Sequence, residues 1–250
     1  FLKKLNKTVI IGIEKKIPLR YSFFIDDNHL EKYFLLKENI SVTHYEHIIA
    51  LDTSDPLLLG SFYHYIKKTL NVIVIDHHKT FIPFGHNNIN LPDKSSTSEM
   101  VFDIIPKKYF DSVMINSIYS GIVYDTGNFR FSNTSSTLLS KVSWMLENFQ
   151  VQTEFIFYNI FQNESLERKK LISFIVDSIE TYENNEVVVS FFPLCFKNKL
   201  QLDDSDTTDL VHVGNSLKGC VFSIFVKEKE DGIYFSFRSR NEFDVAAMAQ

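Results

Sequence analysis

One short apolar run ends in an acid and two histidines, and it constrains the fold more than any other segment. Residues 72–75 are β-branched and apolar, and Asp76, His77 and His78 follow them directly. Such a run is typical of a strand buried on both faces of a parallel sheet. Ligands bind at the carboxyl ends of these strands. A carboxylate beside two imidazoles suits a divalent transition metal and an anionic substrate. Ordinary polar residues capping a strand are the alternative, but they would not require adjacent histidines.

The same pattern occurs earlier in the chain. Apolar residues 48–51 run into Asp52, and Asp55 and Pro56 then suit the N-cap and the first position of a helix. The segment from Asp52 to Asp76 therefore predicts a strand–helix–strand unit. Its right-handed crossover would bring both acids to the same edge of the sheet. Asp52 alone could be a helix cap or a loop residue, and it is the repeated pattern that favours a shared site.

A third carboxylate follows the clearest helical pattern in the chain. Apolar residues recur at helical spacing at Ile115, Ile118, Tyr119, Ile122 and Val123. The helix is predicted to end at Asp125, because Gly127 suits a C-terminal stop. Arg130 follows, and a planar guanidinium suits the recognition of a phosphate group. Ser96 and Glu99 form a capping box, which predicts the start of another helix.

Asp52, His77 and Asp125 together predict a metal site on converging ends of secondary structure. Carboxylates and imidazoles without thiolates favour Mn²⁺ or Mg²⁺, with Zn²⁺ as an alternative. A carboxylate can bridge two metals, and two metals can generate hydroxide and polarise a phosphoryl group. That is the chemistry of phosphoester hydrolysis. In this scheme His78 contacts the phosphate or the leaving group, and Asp76 orients a ligating histidine.

Composition limits the classes of function. The 250 residues carry a formal net charge of −5, which argues against broad non-specific binding to duplex nucleic acid. Cys195 and Cys220 are the two cysteines, so a disulfide framework is not expected and a reducing cytoplasm fits. No apolar run approaches about 18 residues, so no membrane span is expected, and no signal peptide is visible. The sequence begins at Phe1, and we expect the native terminus to lie upstream.

The sequence pattern changes after about residue 150. We predict an α/β fold in which residues 1–150 form a parallel-sheet domain with flanking helices. Residues 151–182 are mainly helical and more charged, which indicates a connector. Residues 183–250 form a smaller α/β domain.

The smaller domain shows a strand-rich pattern. Strands are predicted at residues 187–192, 221–226 and 233–237, and the last two form a hairpin. Ile233, Phe235 and Phe237 alternate with polar residues, so their face is predicted to belong to the core. The other face presents Arg238, which is either a solvated strand charge or a ligand for a terminal phosphate.

The motifs together resemble those of the DHH phosphoesterases. The resemblance lies in residues 76–78 after their strand, in residues 51–56 around Asp52 and in residues 124–130 around Asp125. Residues 219–246 resemble the DHHA1 domain that often follows. The most similar subgroup is NrnA-like, oligoribonucleases that also remove the 3′-phosphate of pAp.

The resemblance implies a specific metal centre. Asp52 would bridge two Mn²⁺ ions, and His77 and Asp125 would complete one of them. His78 would contact the scissile phosphate. The family's first motif and its closing glycine-rich motif lie outside the 250 residues. We therefore expect this segment to bind at most one Mn²⁺ and to have little activity.

The resemblance also implies how substrate is bound. Arg238 and Ser239 would hold it from the second domain, with Arg130 as a further candidate, and the active site would lie in the cleft between the domains. The expected substrates are short single-stranded RNA or DNA oligonucleotides or pAp. A cyclic-dinucleotide or single-strand DNA phosphodiesterase is the alternative enzyme. A nucleotide-binding module that has lost turnover is the alternative from another class. No membrane partner is expected, and a homodimer stays open.

Overall fold

The protein contains two compact units, Phe1–Asn163 and Glu164–Gln250. The structure is a computed structural model, and it describes residues 1–13, 17, 21, 23, 34–36, 45–67, 71–200, 210–240 and 245. The division falls inside the segment that the sequence suggests as a connector. Among the helices of these described residues, none combines the length and apolar character that crossing a membrane would require.

The first unit contains the parallel strands expected from the sequence. Strands β1 (Ile11–Ile13) and β2 (Phe34–Leu36) pair in parallel. A second sheet has the order β3 (Ile48–Leu51), β4 (Val72–Asp76) and β5 (Asn87–Asn90), and all of its pairs are parallel. The predicted α/β fold with a parallel sheet is therefore confirmed.

Strand β4 lies in the middle of the three-stranded sheet, which explains its apolar run. Val72 and Val74 are fully buried. Strand β3 lies at the edge of the same sheet, and Ile49 and Leu51 on it are exposed. The register pairs Leu51 with Ile75, so the two strands end side by side. Asp52 and Asp76 consequently leave the sheet at the same edge.

Two helical segments of the first unit begin at the N-cap residues that the sequence predicts. A 3₁₀ segment, Pro56–Phe62, is interrupted at Gly60 and continues into α1 (Tyr63–Ile66). The other helices are α2 (Thr97–Ile104), α3 (Ser112–Asp125), α4 (Ser136–Asn148) and α5 (Thr153–Phe157), with 3₁₀ turns at Leu2–Leu5 and Lys107–Tyr109 and a π turn at Tyr158–Gln162. The side chains of Asp55 and Ser96 accept main-chain hydrogen bonds from Leu57 and Glu99. Both predicted N-caps are thus confirmed.

Helices α2 and α3 approach each other closely at Gly121. A Cβ atom added at Gly121 would lie 2.0 Å from Oγ and 2.8 Å from Cβ of Ser98. The two helices therefore contact through a position that has no room for a methyl group. The core around α3 and α4 includes Ile115, Ile122, Leu138 and Met145, all fully buried.

The second unit is a four-stranded sheet with helices. Its strands are β6 (Glu180–Tyr182), β7 (Val187–Phe192), β8 (Phe222–Lys229) and β9 (Gly232–Ser239), in that order. The helices are α6 (Leu166–Asp177), α7 (Leu194–Leu200) and α8 (Val211–Asn215). Strands β8 and β9 form the predicted hairpin, and β7 pairs with β8 in parallel.

The face of β9 that the sequence assigns to the core is exposed. Ile233 is 61% exposed and Phe235 is 57% exposed. The buried side of the sheet is the opposite one, where Phe192 and Phe225 pack against residues of α6. The alternation in β9 is real, but alternation alone does not say which face the helices cover. The prediction of a core face at Ile233 and Phe235 is therefore wrong within the described residues.

Candidate metal centre

Asp76, the last residue of β4, is the buried carboxylate around which this site is built. It is 0% exposed, and its Oδ1 accepts main-chain hydrogen bonds from His77 at 2.6 Å and from His78 at 3.2 Å. Oδ1 also lies 2.6 Å from Nδ1 of His78. Because an ionised carboxylate only accepts hydrogen bonds, this contact places a proton on Nδ1 of His78. The sequence suggests that Asp76 orients a ligating histidine, and the ring it contacts is that of His78.

His77 is oriented by the backbone instead. Its Nδ1 lies 3.3 Å from the main-chain carbonyl oxygen of Lys94. A carbonyl oxygen only accepts, so the proton of the neutral ring resides on Nδ1 and Nε2 carries a lone pair. Nε2 lies 3.6 Å from Oδ1 of Asp52 and 3.7 Å from Oδ2 of Asp125. The structure thus brings together the three residues predicted as metal ligands.

Asp52 has an unusual backbone conformation directly after β3. Its φ of 57° lies in the left-handed region, which side chains other than glycine seldom adopt. Its N–H donates to the carbonyl of Ile75 at 3.0 Å, and its Oδ1 accepts from the Thr97 hydroxyl at 2.8 Å. These two hydrogen bonds hold Asp52 in a conformation that aims its carboxylate at the histidines. Strained residues of this kind are frequent at functional sites.

Asp125 ends helix α3, as the sequence predicts. Burial, together with the negative charge of Asp52, raises the pKa of Asp125 to about 6, although His77 and His78 oppose this shift. Its main-chain carbonyl accepts a hydrogen bond from Nδ2 of Asn133 at 3.1 Å. The side chain is therefore held close to a second carboxylate by the end of a helix whose core residues are fully buried.

These residues fit a divalent cation. The separations of 3.6 and 3.7 Å between His77 Nε2 and the two carboxylates are too long for hydrogen bonds. Ligands about 2.0–2.2 Å from a common metal lie roughly 3–3.6 Å apart. Among the described residues, the donor atoms that all lie within 4.8 Å of one another are those of Asp52, His77 and His78, and Asp125 is not in that group. The free lone pair of the His77 imidazole and the two nearby carboxylates are suitable ligands for a divalent metal ion that takes both nitrogen and oxygen donors.

A cavity of about 340 Å³ adjoins the carboxylates. Asp52 and Asp125 line it, together with Thr97 and Gly121. Arg130 lies in the loop after Asp125, is exposed, and donates from Nε to the carbonyl of Gly127 at 2.7 Å. Its guanidinium is therefore anchored at one nitrogen near the end of α3.

The two remaining candidates, Arg238 and Ser239, lie at the end of β9 in the second unit. Arg238 is exposed, and its NH1 donates to the carbonyl of Phe237 at 2.9 Å. Their part in substrate binding stays a prediction from the resemblance.

Comparison with known proteins shows which family the chain resembles. Residues 1–124 match the model of the DHH family, N-terminal domain. These residues are therefore similar to the DHH family. Two curated proteins named "Bifunctional oligoribonuclease and PAP phosphatase NrnA" match further along the chain. The Thermus thermophilus protein is 28% identical over 77% of this chain, and the Bacillus subtilis protein is 29% identical over 66% of it. The chain spans 57% and 54% of the lengths of these two relatives.

A solved structure shares the whole fold. The crystal structure of an exopolyphosphatase-related protein from Bacteroides fragilis superposes with a TM-score of 0.87 at 22% sequence identity. The match covers 99% of this chain and 75% of that one. At this identity the likeness concerns the fold alone.

The sequence did not predict three residues that form hydrogen bonds to the candidate metal ligands. The Lys94 carbonyl orients His77, the Thr97 hydroxyl holds Asp52, and the Asn133 amide contacts the Asp125 backbone. A main-chain carbonyl has no sequence signal, because every residue carries one. Thr97 lies inside a capping sequence that already explains its polarity. Asn133 gives a weak signal by its place in the loop after Asp125.

Proposed function

We propose that this protein is a metal-dependent phosphohydrolase that cleaves short oligonucleotides and removes the 3′-phosphate of pAp. The observation that carries the proposal is the convergence of His77 Nε2 on Asp52 and Asp125, at 3.6 and 3.7 Å. The match of residues 1–124 to the DHH family supports phosphoester chemistry. The names of the Thermus and Bacillus relatives support the choice of substrates.

Asp52, His77 and Asp125 would hold the metal. A bound divalent cation supplies a Lewis acid for the phosphoryl oxygen and lowers the pKa of coordinated water. We propose Mn²⁺, with Mg²⁺ as the alternative, because the donors are carboxylates and imidazole without thiolate. Asp52 would be the carboxylate ligand that lies near both histidines, since its Oδ1 is 3.6 Å from Nε2 of His77 and 3.9 Å from Nδ1 of His78.

His78 would act on the substrate. Its Nδ1 is held by buried Asp76 at 2.6 Å, which leaves Nε2 to contact the phosphate or the leaving oxygen. Arg130 would bind a phosphate near the end of α3. Arg238 and Ser239 of the second unit would bind the non-reacting end of the substrate.

The free thiols of the two cysteines indicate the cellular compartment. Cys195 and Cys220 are both free thiols, and free thiols are usual in a reducing compartment. We therefore infer a cytoplasmic location. A homodimer stays a prediction.

A panel of substrates tests the proposal. With Mn²⁺, the full-length protein should release mononucleotide from a dinucleotide and phosphate from pAp, and a chelator should abolish both reactions. Asp52→Asn should abolish them too. Asp55→Asn is the matched control three residues away, because asparagine caps a helix as well as aspartate. Turnover that persists in Asp52→Asn would contradict the site.

Other results on the same panel would redirect the proposal. Faster cleavage of a cyclic dinucleotide, single-stranded DNA or polyphosphate would change the substrate class. Binding of pAp without any turnover would identify a nucleotide-binding module.

A further inference from the structure

A four-residue segment before and at the start of helix α2 contacts the candidate metal ligands. We call residues 94–97 the positioning segment. At one end, the carbonyl of Lys94 lies 3.3 Å from Nδ1 of His77. At the other end, the hydroxyl of Thr97 donates to Oδ1 of Asp52 at 2.8 Å. One rigid stretch of chain therefore touches ligands that come from two different strands.

The middle of the positioning segment reaches the third ligand through Asn133. Nδ2 of Asn133 donates to the carbonyl of Ser95 at 2.9 Å and to the carbonyl of Asp125 at 3.1 Å. The end of helix α3 is thereby tied to the same four residues. All three predicted ligands are connected to the segment by one or two hydrogen bonds.

Buried charges hold the positioning segment in place. The side chain of Glu99 is 4% exposed; its Oε2 accepts from the N–H of Ser95 at 2.8 Å and its Oε1 from Nζ of Lys141 at 2.6 Å. Nζ of Lys94 lies 2.7 Å from Oδ2 of Asp103. Helices α2 and α4 thus anchor the segment on both sides, and partnered charges at low exposure are rigid.

The hydroxyl of Thr97 does not cap helix α2. Ser96 is the N-cap of α2, and its Oγ already accepts from the N–H of Glu99 at 3.0 Å. Thr97 is buried, so its hydroxyl needs a partner, and that partner is Asp52. A purely structural account of α2 does not require this contact.

We propose that the positioning segment presets the metal ligands, with Thr97 as the positioning residue for Asp52 and the Lys94 carbonyl as the group that sets the tautomer of His77. The Lys94 contact keeps the Nε2 lone pair available, and the Thr97 contact fixes the carboxylate that faces it. Outer groups of this kind orient ligands before the metal arrives. The inference rests on the metal site of the proposed function and is independent of the substrate.

Metal affinity tests the role of Thr97. Mn²⁺ is titrated by calorimetry into metal-free wild type, Thr97→Val, Thr97→Ser and Ser223→Ala, and the melting temperature of each is recorded. Thr97→Val is isosteric and lacks the hydroxyl, so its Mn²⁺ affinity should fall about 10–100-fold. Thr97→Ser keeps the hydroxyl and should bind like wild type. Ser223→Ala removes a buried hydroxyl of the second unit, one that donates to the Val211 carbonyl, and should leave affinity unchanged.

The inference is overturned if Thr97→Val binds Mn²⁺ like wild type, or if Thr97→Ser loses as much affinity as Thr97→Val. An equal loss in Ser223→Ala would also overturn it, because the effect would then be general destabilisation.

A spectrum of the wild-type protein tests the Lys94 contact without any variant. Nitrogen-15 NMR of metal-free protein at about pH 8, where histidine rings are normally neutral, should show the proton of His77 on Nδ1. A proton on Nε2 would overturn this part. Both experiments are separable from the proposed function: a Thr97→Val loss of affinity in a protein that hydrolyses no nucleotide sustains the inference and refutes the function.

Discussion

Nδ1 of His78 lies 2.6 Å from Oδ1 of Asp76, and the same oxygen accepts the main-chain hydrogen bonds of His77 and His78. A single buried carboxylate atom therefore organises the turn that follows β4. Oδ2 of Asp76 has no hydrogen-bond partner among the described residues. The contacts of this buried carboxylate with the two histidines therefore all depend on one oxygen atom.

Asp76→Asn should lower turnover about 10–100-fold, because the orientation of the His78 ring depends on the carboxylate. The free energy of unfolding should fall by about 1–3 kcal/mol, since hydrogen bonds to a buried charged group are lost. Rates with pAp and urea unfolding curves measure the two effects. Asp93→Asn, at an exposed aspartate in the loop before α2, is the control. Full activity in Asp76→Asn would exclude this role.

In the full-length protein, His77→Ala and Asp125→Ala should each abolish turnover while the melting temperature stays at or near that of wild type. Neither residue belongs to the buried apolar cluster of the first unit. Removing Asp125 also removes repulsion between two carboxylates. The matched control is Asp177→Ala, which deletes an exposed aspartate from the last position of another helix. Near-wild-type rates with Mn²⁺ in either variant would refute the metal assignment.

Arg238→Ala should raise KM for pAp and dinucleotide while kcat changes less, because contact with a non-reacting phosphate contributes mostly uniform binding. Loss of an ionic hydrogen bond costs about 1.5–3 kcal/mol, which corresponds to about 10–150-fold. Lys229→Ala is the control at the other end of the hairpin; Lys229 lies over the Tyr234 ring at 3.8 Å. An unchanged KM would remove Arg238 from the site.

The stability of the first unit should depend on pH through Glu99. Burial opposes the charged form of Glu99, but hydrogen bonds from Lys141 and Ser95 prevail, and its pKa is lowered from 4.5 in the folded protein. The charged group therefore stabilises the fold at neutral pH, and this contribution is lost as the pH falls below about 4.5 and through the folded pKa.

Glu99→Gln is the variant that tests this dependence. It should reduce the free energy of unfolding by about 1–3 kcal/mol at pH 7. The difference from wild type should shrink in urea unfolding experiments at progressively lower pH. A difference that is independent of pH would show that the charge of Glu99 is not responsible.

The positions of the three predicted ligands could be anticipated because each lies at or just after the end of an apolar element. The run that ends at Asp76 can only be a central strand, and the helical spacing that ends at Asp125 fixes where that carboxylate leaves its helix. Chain direction then brings the ends together. What holds the ligands was not predictable, because the left-handed Asp52 and the Lys94 carbonyl depend on backbone geometry rather than on residue type.

In the second unit, the sequence did not predict which face of the sheet is buried. The alternation in β9 predicts one buried and one exposed face, but residues 232–236 of β9 are exposed on both faces. Which face is buried depends on where α6 and α8 pack, and that is decided by Phe192 and Phe225 on other strands. Periodicity is local information, whereas the choice of a face is made by distant parts of the chain.

Gly121 carries a consequence for the distance between two charges. Helix α2 begins with the residue that holds Asp52, and helix α3 ends with Asp125. The two helices touch where a methyl group at Gly121 would collide with Ser98. The absence of a side chain at Gly121 therefore sets the spacing of the two helices. Adding one carbon at position 121 would push them apart, and the distance between Asp125 and the Asp52 carboxylate that Thr97 holds would increase with it.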